Sequence, residues 1–231
     1  MARGRRNPPP DRPLPDRPPP DRPPPDRSPL DPGAVRDRIV DAALACIERD
    51  GWRRTALAAI AAEADLPILT VYRNFSSKQA VLCGLFRRID EAVLAEPVVA
   101  EIDERPRDPV FDLLMRRFDA LEPYKGAFAA LRRDLAGDPV SALALGARLL
   151  CSIRWMLEAA GIATDRIGGI VAVKLTAAAY VAVQRTWLTD DSPDLAPTMA
   201  ALDRRLRAIE RWYVRDRAAT PGQTGEQPAA I

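Results

Sequence analysis

The sequence predicts an all-helical protein, and three observations carry that expectation. Of the 231 residues, 47% are hydrophobic but only 6% aromatic, and Ala, Leu and Arg dominate where strands would call for Val, Ile, Thr and Tyr. Apolar residues recur at steps of three and four rather than alternating. The periodic stretches are separated by short punctuation such as Asp50-Gly51, Glu122-Pro123 and Gly161. A chain of this length buries a substantial core in one or two domains.

Residues 1–33 stand apart. Asp-Arg-Pro recurs from Asp11, Asp16 and Asp21, and Asp26-Arg27-Ser28 repeats it with Ser in place of Pro. Prolines this dense exclude helix and sheet, so a solvated, polyproline-like tail is expected, with Arg in excess of Asp. Helical periodicity starts at Val35, where Ile39, Ala42, Ala43, Cys46 and Ile47 make one face of a helix ending at Asp50-Gly51. Thr55 is expected to cap a short helix over 56–64, and Asp65-Leu66-Pro67 to turn the chain into a second short helix over 68–75. Ser76-Ser77 caps a longer helix to about Leu94. Further helices are expected over 109–121, 125–135, 140–159, 167–188 and 193–214, and residues 215–231 carry no periodicity and are expected to fray.

Composition excludes several functions. The chain has no histidine, no glycine-rich phosphate loop and no paired-carboxylate motif, so no catalytic residue, metal ligand or cofactor is expected and the protein is not an enzyme. Cys46, Cys83 and Cys151 are too far apart for a zinc site and odd in number, and read as buried free thiols. The most apolar stretch, 171–188, is interrupted by Lys174, Gln184 and Arg185, which suits a core helix better than a membrane span. With no signal-peptide pattern either, a cytoplasmic location is expected. The formal net charge is only +2, so any attraction to nucleic acid must come from a local patch.

Residues 52–79 supply such a patch. Two short helices joined by a tight turn, with Leu57, Ile60, Leu66, Val71 and Phe75 as their small core, make a helix-turn-helix. Around it Arg53, Arg54, Arg73, Lys78, Arg87 and Arg88 outnumber Glu63 and Asp65, although basic and acidic residues balance over 34–96 as a whole.

The runs Ile39-Val40-Asp41-Ala42-Ala43-Leu44, Gly51-Trp52-Arg53-Arg54-Thr55, Ala59-Ile60-Ala61-Ala62-Glu63-Ala64 and Thr70-Val71-Tyr72-Arg73-Asn74-Phe75-Ser76-Ser77-Lys78 resemble the TetR repressor family. The resemblance implies a TetR-like fold. A DNA-binding domain over 34–96 would precede a helical ligand-binding and dimerisation domain over 97–214. It also implies a homodimer on a double-stranded operator. Carried over by position, Thr55, Tyr72 and Lys78 would hold phosphates, with Arg53 and Arg54 beside them. Thr70, Arg73 and Asn74 would lie nearest the groove, where Arg and Asn can read base edges. The chain departs from the family at Asp65, where glycine is usual, at Pro67, where a capping serine is usual, and at Ile68 and Leu69, where polar or small residues are usual. Apolar groups at those last two positions suit thymine methyls, and equally suit a surface that no longer reads DNA.

The C-terminal half carries a second resemblance. Arg116-Arg117-Phe118-Asp119-Ala120-Leu121 with Pro123-Tyr124, Ala178-Ala179-Tyr180, Trp187-Leu188 and Asp190-Asp191-Ser192-Pro193-Asp194-Leu195 are similar to the lipid-binding accessory protein family of ubiquinone biosynthesis. That likeness implies an enclosed lipid and an amphipathic last helix that touches membranes. Leu195, Met199, Leu202, Leu206, Ile209 and Trp212 recur on one side of the segment 194–213, opposite Arg204, Arg205, Arg207 and Arg211, a pattern that fits a membrane surface or ordinary core packing. Leu113, Phe118, Phe128, Leu150, Trp155, Met156, Leu175 and Tyr180 are the candidates to line an apolar ligand pocket. The expectation is a regulator responsive to an apolar small molecule or lipid, with a lipid-binding accessory protein that kept a relic helix-turn-helix as the alternative.

Overall fold

The computed structural model describes residues 31–98 and 105–213. The proline-rich segment and the last residues, both expected to lack a core, lie outside them. Among the described residues there are helices and no strands.

The first helix, α1 (Pro32–Asp50), buries Val35, Ile39, Val40, Ala42, Ala43, Cys46 and Ile47 and ends where Gly51 takes φ +84°. A side chain there would be strained, and its Cβ would also sit 2.8 Å from the Asp134 carboxylate. Two seven-residue helices follow, α2 (Leu57–Glu63) and α3 (Ile68–Asn74). Thr55 does not cap α2. Its hydroxyl turns back to the Gly51 carbonyl at 2.8 Å and is buried, and Ala56 holds the cap position. The turn after α2 closes with the Asp65 N–H on the Ala62 carbonyl and the Leu66 N–H on the Ala61 carbonyl, each 3.0 Å, a double bond pattern that needs a left-handed residue. Asp65 supplies it with φ 49°. Pro67 then opens α3 through its fixed φ of −58° without a side-chain cap.

Ser77 caps α4 (Lys78–Ala95), its hydroxyl accepting from the Ala80 N–H at 3.1 Å. α5 (Arg107–Leu121) starts two residues earlier than its apolar pattern, and Glu122–Tyr124 forms a 3-10 turn where the sequence suggested only a break. α6 (Lys125–Leu135), α7 (Pro139–Ala159) and α8 (Ile167–Trp187) follow. The last helix, α9 (Ala196–Ile209), opens later than Ser192-Pro193-Asp194 suggested. The reason is Asp190. It is buried and gathers the N–H and hydroxyl of Ser192, before the helix, and of Thr198, in its first turn.

Helices on the two sides of residue 96 pack on one another. α4 packs on α1 and also on α5 and α7, and α1 packs on α6. One buried carboxylate marks the crossing. Asp90 of α4 accepts from Arg117 of α5, from Arg148 of α7 at 2.6 Å and from Ser152 of α7 at 2.6 Å. Arg117 is fully buried, its guanidinium 5.5 Å from the Phe86 ring centre and 5.6 Å from that of Tyr180.

The apolar side of α9 was one candidate for a membrane surface. Thr198, Ala201, Leu202 and Leu206 are instead buried, and the helix packs on α8 and α5. Met199, Ile209 and Trp212 are half-buried and Tyr213 is buried with its hydroxyl 2.8 Å from that of Thr176. The stripe completes the core, which removes the residues that membrane contact through 194–213 required.

Candidate nucleic-acid interface

The helix-turn-helix hangs on Trp52, which is fully buried. Its indole N–H donates to the Asp138 carboxylate at 2.9 Å, and its ring lies 4.1 Å from the Lys78 ammonium. Lys78 also donates to the Trp52 carbonyl at 2.8 Å, and desolvation lowers its pKa below the usual lysine range. Asp138 accepts the Ser141 hydroxyl and N–H besides the indole, and these bonds hold its carboxyl at about 2. Gln79 donates to the Ser141 hydroxyl at 3.0 Å. The start of α4, the start of α7 and the entry to α2 are therefore one hydrogen-bonded unit.

On that base α3 presents a single free face. Val71 and Phe75 are buried, whereas Ile68, Leu69, Tyr72 and Arg73 are exposed, with Ile68 at 53%, Leu69 at 51% and Tyr72 at 74%. Residues i, i+1, i+4 and i+5 of a short helix share one side. Thr70 and Asn74 are half-buried. The Asn74 side-chain amide donates to the Thr70 carbonyl at 2.9 Å, and the Asn74 main-chain carbonyl accepts from Arg36 at 3.1 Å. Arg36 also covers the Phe75 ring at 5.3 Å and so sits at the negative end of α3.

The remaining residues expected at DNA divide in two. Arg53 and Arg54 are exposed, the first with its backbone N–H on Asp134 at 3.1 Å and the second with its guanidinium on the Asp50 carbonyl at 2.7 Å. Tyr72, Arg73, Arg53 and Arg54 are thus open to solvent, Arg54 with one guanidinium N–H already committed, and Lys78 is half-covered. The Thr55 hydroxyl is buried and already bonded. Arg36 carried no signal in the sequence, because its role depends on α1 crossing the end of α3.

In the C-terminal half, Leu113, Phe118, Phe128, Met156 and Tyr180 are buried in the core and Leu175 is half-buried. Phe118 stacks on Tyr180 with ring centres 4.7 Å apart and lies 5.7 Å from Trp187. Among these rings Arg117 and Tyr180 are fully buried beside one another, and burial raises the Tyr180 pKa against the opposing influence of Arg117 and Gln184. Leu150 and Trp155 lie elsewhere, exposed on α7. Leu150, Leu143, Gly146, Ala178 and Val181 line an open groove of about 740 Å³ between α7 and α8. Of the three cysteines expected to be buried, Cys46 is buried and Cys83 half-buried, but Cys151 is exposed because α7 leaves this outer side uncovered. α7 and α8 are also long and apolar enough to cross a membrane by length and composition.

The family model for bacterial regulatory proteins, tetR family, matches residues 39–83, which hold α2, α3 and their flanks. No curated protein matches the chain. Among solved structures, the TetR transcriptional regulator from Nitrosomonas europaea ATCC 19718 is 22% identical, with 76% of this chain and 97% of that one covered and a TM-score of 0.58. A TetR transcriptional regulator from Rhodococcus sp. RHA1 is 20% identical, with 76% and 94% covered and a TM-score of 0.54. The fold is the all-α, TetR-like one.

Proposed function

We propose that this chain is a DNA-binding transcriptional regulator of the TetR type, acting as a homodimer and responding to an apolar small ligand. The observation that carries the reading is the free face of α3. The tetR-family match spans that helix, Arg73 lies on its exposed side, and Arg36 braces its end through the Asn74 main-chain carbonyl. A short exposed helix held rigidly by its neighbours is what the major groove admits.

The dimer reading rests on α7 and α8. Val140, Leu143, Trp155, Ile170 and Val181 are large, apolar and exposed on these two long helices. A second copy is the occupant that suits them, since two helices from each chain make a four-helix contact and a two-fold axis supplies two α3 helices. The same arrangement accounts for helices apolar enough to pass for membrane spans. The ligand reading rests on Arg117 and Tyr180, polar groups buried side by side among aromatic rings as an apolar site sets its few orienting groups. The lipid-handling alternative loses its membrane-facing helix, because the apolar side of α9 is buried.

The test is selection of the purified protein against random duplex DNA with rising salt. An enriched palindrome, lost in the Tyr72→Phe, Arg73→Ala double variant, is the expected result. Weak binding erased by salt, with no sequence enriched, would set the DNA reading aside.

A further inference from the structure

The free face of α3 has an unusual composition for a surface among arginines. Three of its four exposed side chains, Ile68, Leu69 and Tyr72, present carbon rather than charge. Nothing in the fold requires this, because Val71 and Phe75 already anchor the helix from its other side. Large apolar groups clustered on an exposed helix mark a contact surface. The charges around them indicate its occupant. Arg38 stands at the turn before α3, paired with Asp65 at 3.5 Å, while Arg36 and Arg73 stand at its far end. A polyanion with an apolar feature between its phosphates complements that pattern, and in the major groove of DNA the apolar feature is the C5-methyl of thymine.

We propose that Ile68, Leu69 and the Tyr72 ring read thymine methyl groups, so that each operator half-site places thymines beside the base contacted by Arg73. The inference rests on the DNA-binding reading and adds the source of its sequence preference. Specificity shifts from the hydrogen-bonding pair Thr70 and Asn74, which are half-buried and partly committed within α3, to the apolar residues that replace the family's polar or small ones.

Uracil tests this directly, because replacing thymine by deoxyuridine removes the methyl and leaves base pairing intact. The selected duplex is compared with versions carrying deoxyuridine at one half-site position at a time. Binding should weaken about fourfold per contacted methyl, the worth of one buried methyl-sized group. The Ile68→Ala, Leu69→Ala variant should lose most of the discrimination against uracil and keep only the share that belongs to the Tyr72 ring. Both residues are exposed, so an unchanged unfolding midpoint shows that the fold is intact. A palindrome bound equally well with thymine or uracil overturns this inference and leaves the DNA reading standing. If no palindrome is selected, both fall.

Discussion

Burial works against the charged form of Asp190, yet the Ser192 and Thr198 hydroxyls and N–H groups outweigh it and hold the carboxyl at about 2. An unfolded aspartate titrates near ~3.9. A folded pKa below the unfolded one gives stability that is fully present above that unfolded value and lost as pH falls through the folded one. The melting temperature should therefore be flat from pH 7 to 5 and fall between about pH 4 and 2, a window that Asp138 shares. Asp190→Asn should melt lower at pH 7 and lose less over the acid range, read by circular dichroism. Lys78 gives a second prediction at this scale. Its ammonium faces the Trp52 carbonyl and ring, and in the proposed reading it neutralises a phosphate. Lys78→Met should lower the slope of log affinity against log salt by about one and weaken all duplexes alike.

Among the elements, the turn between α2 and α3 shows what could be read from the sequence and what could not. Asp65 stands where a left-handed residue is required, and the structure gives it φ 49°. Asp65→Gly should hold or raise stability, whereas Asp65→Val, a β-branched residue forced left-handed, should lower it by about 1–2 kcal/mol in urea unfolding. The helices themselves were legible because a 3.6-residue apolar repeat is local information. Their caps were less so. Thr55 has the chemistry of a cap, but Gly51 offers its hydroxyl a closer carbonyl, and the start of α9 depends on Asp190 reaching Thr198 eight residues on. For the same reason the apolar stripe of α9 was ambiguous until its neighbours α8 and α5 were in place.

Across the whole molecule, two polar knots tie the helices together. Trp52, Gln79, Asp138 and Ser141 join the helix-turn-helix to the start of α7. Asp90, Arg117, Arg148 and Ser152 join α4 to α5 and to the middle of α7. α7 also bears the exposed apolar face, so in the proposed dimer the subunit contact and both knots share one helix. Asp90→Asn leaves the Arg117 guanidinium buried without its counter-charge and should cost about 3–5 kcal/mol, read as a lower urea midpoint. Leu143→Glu with Val181→Glu lies on the exposed face, so it should leave the fold intact, yield a monomer in sedimentation and abolish binding to a palindrome. The sequence could not show this arrangement, because burial of Arg117 and exposure of Trp155 depend on which sides of α5 and α7 meet other helices.

The central claim is that α3 reads DNA on behalf of a dimer. The most direct test titrates the protein onto its selected palindrome and onto a scrambled duplex of equal length across a salt series. The account predicts two chains per palindrome and a preference for it of at least about a thousandfold, a specific-to-non-specific ratio that persists as salt rises. Equal affinity for both duplexes, vanishing together with salt, would contradict it.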